Sequence, residues 1–247
     1  MKVFDAFERI VVINLPERTD RRREMVAELR KADIDAVDPR LQFFPAIRPT
    51  VPGLFPSLGA RGCFESHLDV IRAAIRDRLH NVLILEDDLA LYPAACVEQR
   101  RMFERIAGDD WDFAYPGHFL PTADAADLPA WTQTNSPLVC AHFYGLHWRI
   151  LAELCRYLEA CTRRPPGHPD GGPMHVDGAY SMFRARNPEV VTLISTPSLG
   201  GQRSSRSDIT HNRWYDRQPL TRALAGFARK GKNVWRTAGQ TALTSRS

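Results

Sequence analysis

The apolar positions of this chain switch between two periods. Ile10 to Asn14 is a short run of β-branched residues and predicts a buried strand. Leu15 to Ile34 changes to helical spacing, with Thr19 placed to cap a helix that turns Met25, Val26 and Leu29 inward and a run of arginines outward. Pro45 to Gly59 holds four prolines and two glycines and predicts a loop. Arg61 to Leu79 follows as a helix, because Phe64, Leu68, Ile71, Ile75 and Leu79 recur at steps of four, three, four and four. A strand from Asn81 to Asp88 comes directly after it.

Further strands are predicted at Asp112–Tyr115, within Leu138–Trp148 and at Val190–Thr196, with a helix over Arg149–Cys161. Arg163 to Gly178 is rich in Pro and Gly and reads as a connection; Pro197 to Asn212 reads as a polar loop. Strands alternating with helices predict an α/β domain with a mostly parallel central sheet flanked by helices. Ligands of such sheets bind at the carboxyl ends of the strands. Asn14, Glu86 to Asp88 and the residues after Tyr115 fall at such ends.

The strand end at Glu86, Asp87 and Asp88 changes the picture most. Three adjacent carboxylates repel one another, and removing them from water is costly, so a divalent cation is the natural compensation. In an extended chain Glu86 and Asp88 point one way and Asp87 the other. Hard oxygen ligands of this kind suit Mg²⁺ or Mn²⁺, which complete their shells with water and substrate phosphate. An acidic triplet is also an ordinary solvated turn or helix start. Cys63 and His67 stand four apart, as zinc ligands on a helix can, but no second pair matches them, so zinc is not expected.

Composition bounds the rest. The 247 residues suffice for one large domain, and no apolar run reaches the roughly 18 residues of a membrane-spanning helix. Asp5 and Glu8 interrupt the N-terminal apolar stretch, which is wrong for a signal peptide, so a cytoplasmic protein with its five cysteines reduced is expected. The net charge of +4 is uneven: from Gly201 onward ten Lys or Arg face two Asp, a local +8, which leaves about −4 for the remainder. Leu220, Leu224 and Phe227 share one helical face in this tail, ringed by Arg222, Arg229, Lys230, Lys232 and Arg236, with Trp235 as an interfacial aromatic. Residues 213–247 therefore read as a basic amphipathic tail that either lies on an anionic membrane surface or packs on the domain formed by residues 1–212. No phosphate-binding Walker loop, H-E-x-x-H or G-x-S-x-G occurs, so those enzyme classes have no support.

Six segments occur in a telling order: VVINLPERTDRR (11–22), GCFESH (62–67), LILEDD (83–88), WDFAYPG (111–117), HVDGAY (175–180) and PSLGGQRSSRSDI (197–209). Together they resemble glycosyltransferase family 25, which includes bacterial lipooligosaccharide and collagen galactosyltransferases, over about residues 8 to 210. The resemblance implies a GT-A type nucleotide-sugar-binding fold. It also implies a UDP-sugar donor, typically UDP-galactose, an Mn²⁺ or Mg²⁺ ion, and inversion at the anomeric carbon. By the same resemblance Asn14, Arg18, Asp20 and Arg21 line the nucleotide pocket, with Ser66 and His67 beside it. Asp88 contacts the metal, Glu86 and Asp87 meet sugar or ribose, and Gln202, Ser207 and Asp208 lie near donor or diphosphate.

Asp177 is the candidate general base on the face opposite the leaving diphosphate, with His175 as the neighbouring alternative and a helix N-cap as the plain structural reading of Asp177. The expected partners are the donor, a glycan or glycolipid acceptor such as lipopolysaccharide, and an anionic membrane on the cytoplasmic side; nucleic acid is not expected. The competing readings are a metal-dependent phosphohydrolase or nucleotidyltransferase, a non-catalytic nucleotide-sugar-binding module, and an RNA-binding module led by the tail. The loops at 45–59 and 163–173 are where acceptor specificity would reside.

Overall fold

A computed structural model describes residues 1–120 and 130–203. Ser207, Asp208 and the 213–247 tail lie outside the described residues. The elements run β1 (Arg9–Asn14), α1 (Thr19–Arg30), β2 (Leu41–Pro45), α2 (Leu58–Arg76), β3 (Asn81–Glu86), β4 (Leu89–Leu91), α3 (Arg100–Ile106), β5 (Phe113–Tyr115) and β6 (Trp131–Gln133). They continue with β7 (Phe143–His147), α4 (Trp148–Arg163), α5 (Val176–Arg186), β8 (Thr192–Ser195) and β9 (Gly200–Gln202).

Seven strands form one sheet in the order β2-β1-β3-β7-β5-β8-β6, and β4 pairs with β9 in a separate ribbon. β1 runs parallel to β2 and β3, and β5 runs parallel to β8. β7 enters the middle of the sheet antiparallel to both β3 and β5, and β6 closes one edge antiparallel to β8. The sheet is mostly parallel, as the alternation of strand and helix predicts.

The two faces explain why the central strands are apolar at every position. On one face Val11, Ile13, Val82 and Ile84 pack with Phe64, Leu68 and Ile71 of α2, Leu154 and Leu158 of α4, and Phe183 of α5. On the other, Ile10, Val12, Leu83 and Leu85 pack with Phe4, Phe7, Met25, Leu29 and Trp111. Burying each such side chain contributes about 1.5–3 kcal/mol against the ordering entropy of the chain.

Several local expectations need correction. α1 has Arg18, not Thr19, at its N-cap, and no side chain caps it. α2 begins at Leu58, three residues before the predicted start at Arg61, because the Ser57 side chain accepts the Ala60 N–H and starts the helix inside the proline-rich stretch. α2 ends at Arg76, so Leu79 is buried beyond the helix and Ile75 is 38% exposed. β2, β6 and α3 have too few periodic apolar residues to announce themselves. Gly200–Gln202, expected in a loop, is a strand, because β4 offers it a partner edge.

Gly145 in the centre of β7 lies close under an overlying ring: a Cβ there would overlap Phe7. Gly145→Ala is expected to cost about 1–3 kcal/mol by overpacking. In a Phe7→Leu background, which withdraws the clashing ring atoms, the same change should cost measurably less; urea denaturation of the four proteins of the cycle checks this.

Candidate active site

β1 and β3 lie side by side with Ile13 opposite Glu86, so the carboxyl ends of both strands open on the same edge. β3 ends at Glu86, and Asp87 and Asp88 form a turn into β4. The expected strand alternation therefore stops at Glu86, and each of the three carboxylates finds a different environment.

Asp87 is held from two sides. The Asn14 side-chain amide donates to its Oδ2 at 2.7 Å, and Arg21 donates to its Oδ1 at 2.7 Å. Asn14 is 4% exposed, and it also donates to the Arg18 carbonyl at 3.3 Å. Arg203, just past β9, straps the turn. Its backbone N–H donates to the Asp88 carbonyl at 2.7 Å, and its guanidinium donates to the Asp87 carbonyl at 2.7 Å. Glu86 faces the other way: Gln202 donates to its Oε2 at 3.0 Å, and its Oε1 lies 3.4 Å from His67 Nε2 and 3.6 Å from Cys63 Sγ.

Asp88 is the exception. Its Oδ1 is buried and has no hydrogen-bond partner among the described residues. Burial, reinforced by the Glu86 charge, raises its pKa to about 7, against the opposing pull of Arg21 and Arg203. The carboxyl whose buried oxygen lacks a partner is thus biased toward its protonated form. A divalent cation would supply the same neutralisation, and the free Asp88 oxygen is a hard ligand of the kind Mg²⁺ or Mn²⁺ takes, while Asp87 and Glu86 are turned to other partners.

His67 is fully buried. Its Nδ1 lies 2.7 Å from Tyr144 Oη, which in turn lies 2.8 Å from Tyr180 Oη, so a polar chain crosses the core from α2 through β7 to α5. His67 reaches the site through Glu86. Ser66 is also fully buried: its hydroxyl donates to the Gly62 carbonyl at 2.6 Å and accepts the Ile47 N–H at 2.8 Å. It fastens the loop at Ile47 to α2. Arg18 forks onto Asp20 and holds that carboxyl down at about 2, so this pair sits at the start of α1.

Asp177 lies in the first turn of α5, whose N-cap is His175. Its Oδ2 accepts the Cys140 N–H at 2.9 Å and its Oδ1 accepts the Gly178 N–H at 2.8 Å. Cys140 has a φ of 72°, and its Sγ lies 3.6 Å from Gln202 Oε1. Asp177 and Glu86 are therefore linked through Cys140 and Gln202. Burial lowers the His175 pKa while Asp177 opposes that shift.

Four participants escape a reading of the sequence: Arg203, Cys140, Tyr144 and His142, whose carbonyl accepts the Glu86 N–H at 3.0 Å. Tyr144 and His142 sit in what reads as a plain apolar strand, and only the position of Arg203 beside Gln202 hinted at a role. Cys63, His67 and Glu86 place ligand-type atoms within 4.8 Å of one another, a grouping the helix spacing alone left without a third member. Burial and the neighbouring Glu86, Asp177 and Asp88 charges push the Cys63 thiol well up, so it donates here as S–H.

A glycosyltransferase involved in glycosylation of the major capsid of PBCV-1 superimposes with a TM-score of 0.50, covering 80% of this chain and 93% of its own at 13% identity. The fold is thus that of a glycosyltransferase, of GT-A-like type. The sequence is similar to members of glycosyltransferase family 25. It is 30% identical over 129 residues to human inactive glycosyltransferase 25 family member 3, and 28% identical over 129 residues to human procollagen galactosyltransferase 2. Mouse procollagen galactosyltransferase 2 is 29% identical over the same length. These matches take in 45% of this chain and about a fifth of the relatives, 22% and 21% of the two human proteins. No family model matches.

The protonated Asp88 sets a pH dependence. Its folded pKa, about 7, lies above its ordinary 3.8, so between these values the folded state holds a proton that the unfolded state has released. Stability from this group therefore falls as pH rises through that window and levels off above it. Asp88→Asn should remove the fall and gain about 1–3 kcal/mol over wild type at about pH 8 in chelator, but little at about pH 4. Urea titrations at the two pH values check it.

Proposed function

We propose that this chain is a divalent-metal-dependent glycosyltransferase that moves a hexosyl group, galactose first among the candidates, from a UDP-sugar to a glycan or glycolipid acceptor. The observation that carries this reading is the buried Asp88 Oδ1, without a hydrogen-bond partner among the described residues, in the turn after β3 beside Glu86 and Asp87, in a glycosyltransferase fold. Procollagen galactosyltransferases among its relatives support the sugar. Mn²⁺ or Mg²⁺ held by Asp88 would neutralise the departing diphosphate. Arg21 and Asn14 hold Asp87 oriented, and Gln202 and His67 do the same for Glu86.

Inversion needs a base opposite the leaving group, and Asp177 is our assignment, with His175 as its neighbour. Each Asp177 oxygen accepts one backbone N–H, which leaves lone pairs to take the acceptor proton. Ser207 and Asp208 complete the donor side in this proposal. The acceptor is lipopolysaccharide or lipooligosaccharide, and the tail's local +8 would hold the enzyme at the anionic inner face of the membrane. No described helix is long and apolar enough to cross a membrane.

A second reading is a nucleotide-sugar-binding module without turnover, favoured by relatives that are described as inactive. Donor hydrolysis separates the two. With Mn²⁺ the protein should release UDP from one UDP-sugar. Asp88→Asn should lose about 10²-fold or more of that rate while remaining folded. Asp177→Asn should lower transfer by about 10²–10⁴-fold with donor binding retained. Donor binding without release or transfer would establish the module, and the absence of any nucleotide-sugar binding would overturn both readings.

A further inference from the structure

The sheet carries a second group of ligand-type side chains at its other end. His80 immediately precedes β3, six residues before Glu86, which in an extended strand is roughly 20 Å away. Antiparallel pairing sets Asn81 opposite His147, the last residue of β7. Asp109 comes from the loop between α3 and β5. Three segments that are distant in sequence thus converge.

The three atoms nearly match a tetrahedral edge set. His80 Nε2 lies 3.3 Å from His147 Nε2, His147 Nε2 lies 3.4 Å from Asp109 Oδ1, and His80 Nε2 lies 2.9 Å from Asp109 Oδ1. With metal–ligand bonds of about 2.0–2.1 Å, the ligand atoms of a tetrahedral zinc ion lie roughly 3.3–3.4 Å apart. Two imidazoles sharing such an ion through Nε2 put their ring centroids roughly 5 Å apart; here the separation is 4.8 Å.

The rings are fixed in place. His147 is fully buried against Trp111 and Trp148. Backbone bonds from Trp148 N to His80 O at 2.9 Å and from His147 N to Asp112 O at 3.1 Å lock both histidine positions. Arg105 holds the adjacent Asp110 and so steadies the loop that bears Asp109. Two ring nitrogens facing each other at 3.3 Å with a carboxylate beside them need a proton or a cation between them.

We propose that His80, Asp109 and His147 bind a borderline divalent cation, with Zn²⁺ the best match for a two-imidazole, one-carboxylate set. Water fills the remaining coordination. The ion staples the start of β3, the end of β7 and the α3–β5 loop. It is a stabilising site, separate from the hard-cation position at Asp88 and independent of the transferase reading.

The test is a Zn²⁺ and Co²⁺ titration of the full chain after chelation, beside His80→Ala, Asp109→Ala and Cys63→Ser. His80 and Asp109 are 52% and 68% exposed on their side chains, so these variants keep the fold. The proposal expects one equivalent bound, a rise of about 5 °C in Tm with excess Zn²⁺, and at least about tenfold weaker binding in His80→Ala and in Asp109→Ala. It also expects a Co²⁺ spectrum without a thiolate charge-transfer band, unchanged in Cys63→Ser. Titrations identical in wild type, His80→Ala and Asp109→Ala would overturn it. So would a thiolate band abolished by Cys63→Ser, since the ion would then belong to the Cys63–His67–Glu86 group.

Discussion

Three consecutive carboxylates at the end of a buried strand are the constraint around which this edge of the molecule is organised. Desolvating one unpaired carboxylate costs several kcal/mol, so three in sequence persist only if the surrounding fold answers each. The answers come from four separate parts of the chain: Asn14 at the end of β1, Arg21 on α1, His67 on α2, and Gln202 with Arg203 at the end of β9. Two of the acids are answered by protein. The third, Asp88, keeps a buried oxygen without a partner among the described residues, and that leftover makes the edge a candidate cation site rather than an ordinary ion-pair network.

The antiparallel β7 between β3 and β5 has a specific consequence. It places Tyr144 between His67 and Tyr180, so polar contacts run from the acidic edge through the core to α5. The segment leading into β7 is bonded to α5 twice more, by Ser181 with Leu138 and by Asp177 with Cys140. The positions of Asp177 and Glu86 are thereby coupled through packed, hydrogen-bonded groups. A disturbance at either end is expected to be felt at the other, because buried polar chains lose more when one member is removed than any single bond is worth.

The same strand pairing that brings Glu86 to one edge brings His80 and His147 together at the opposite end of β3. One sheet thus presents a hard-oxygen environment at its carboxyl edge and an imidazole-rich one at its amino edge. The difference in ligand chemistry is what would let two cations of different character be told apart by the two ends.

Much of this was legible in the chain. The β-branched run at Ile10–Ile13, the stripe of α2 and the apolar approach to Glu86 each report a local period, and period depends only on neighbours a few residues away. The order of six short segments pointed to the glycosyltransferase fold before any coordinate did. Tertiary structure decided what local pattern cannot carry. Glu86, Asp87 and Asp88 are nearly equivalent in sequence; their different partners arise from residues 19 to 116 positions away, and only the sheet order determines which are near. Ser66 and His67 look alike as site candidates, yet burial turned one to the backbone and the other to Glu86. His80, Asp109 and His147 carry no motif at all. Their meeting follows from strand register and loop placement, which depend on packing across the whole domain.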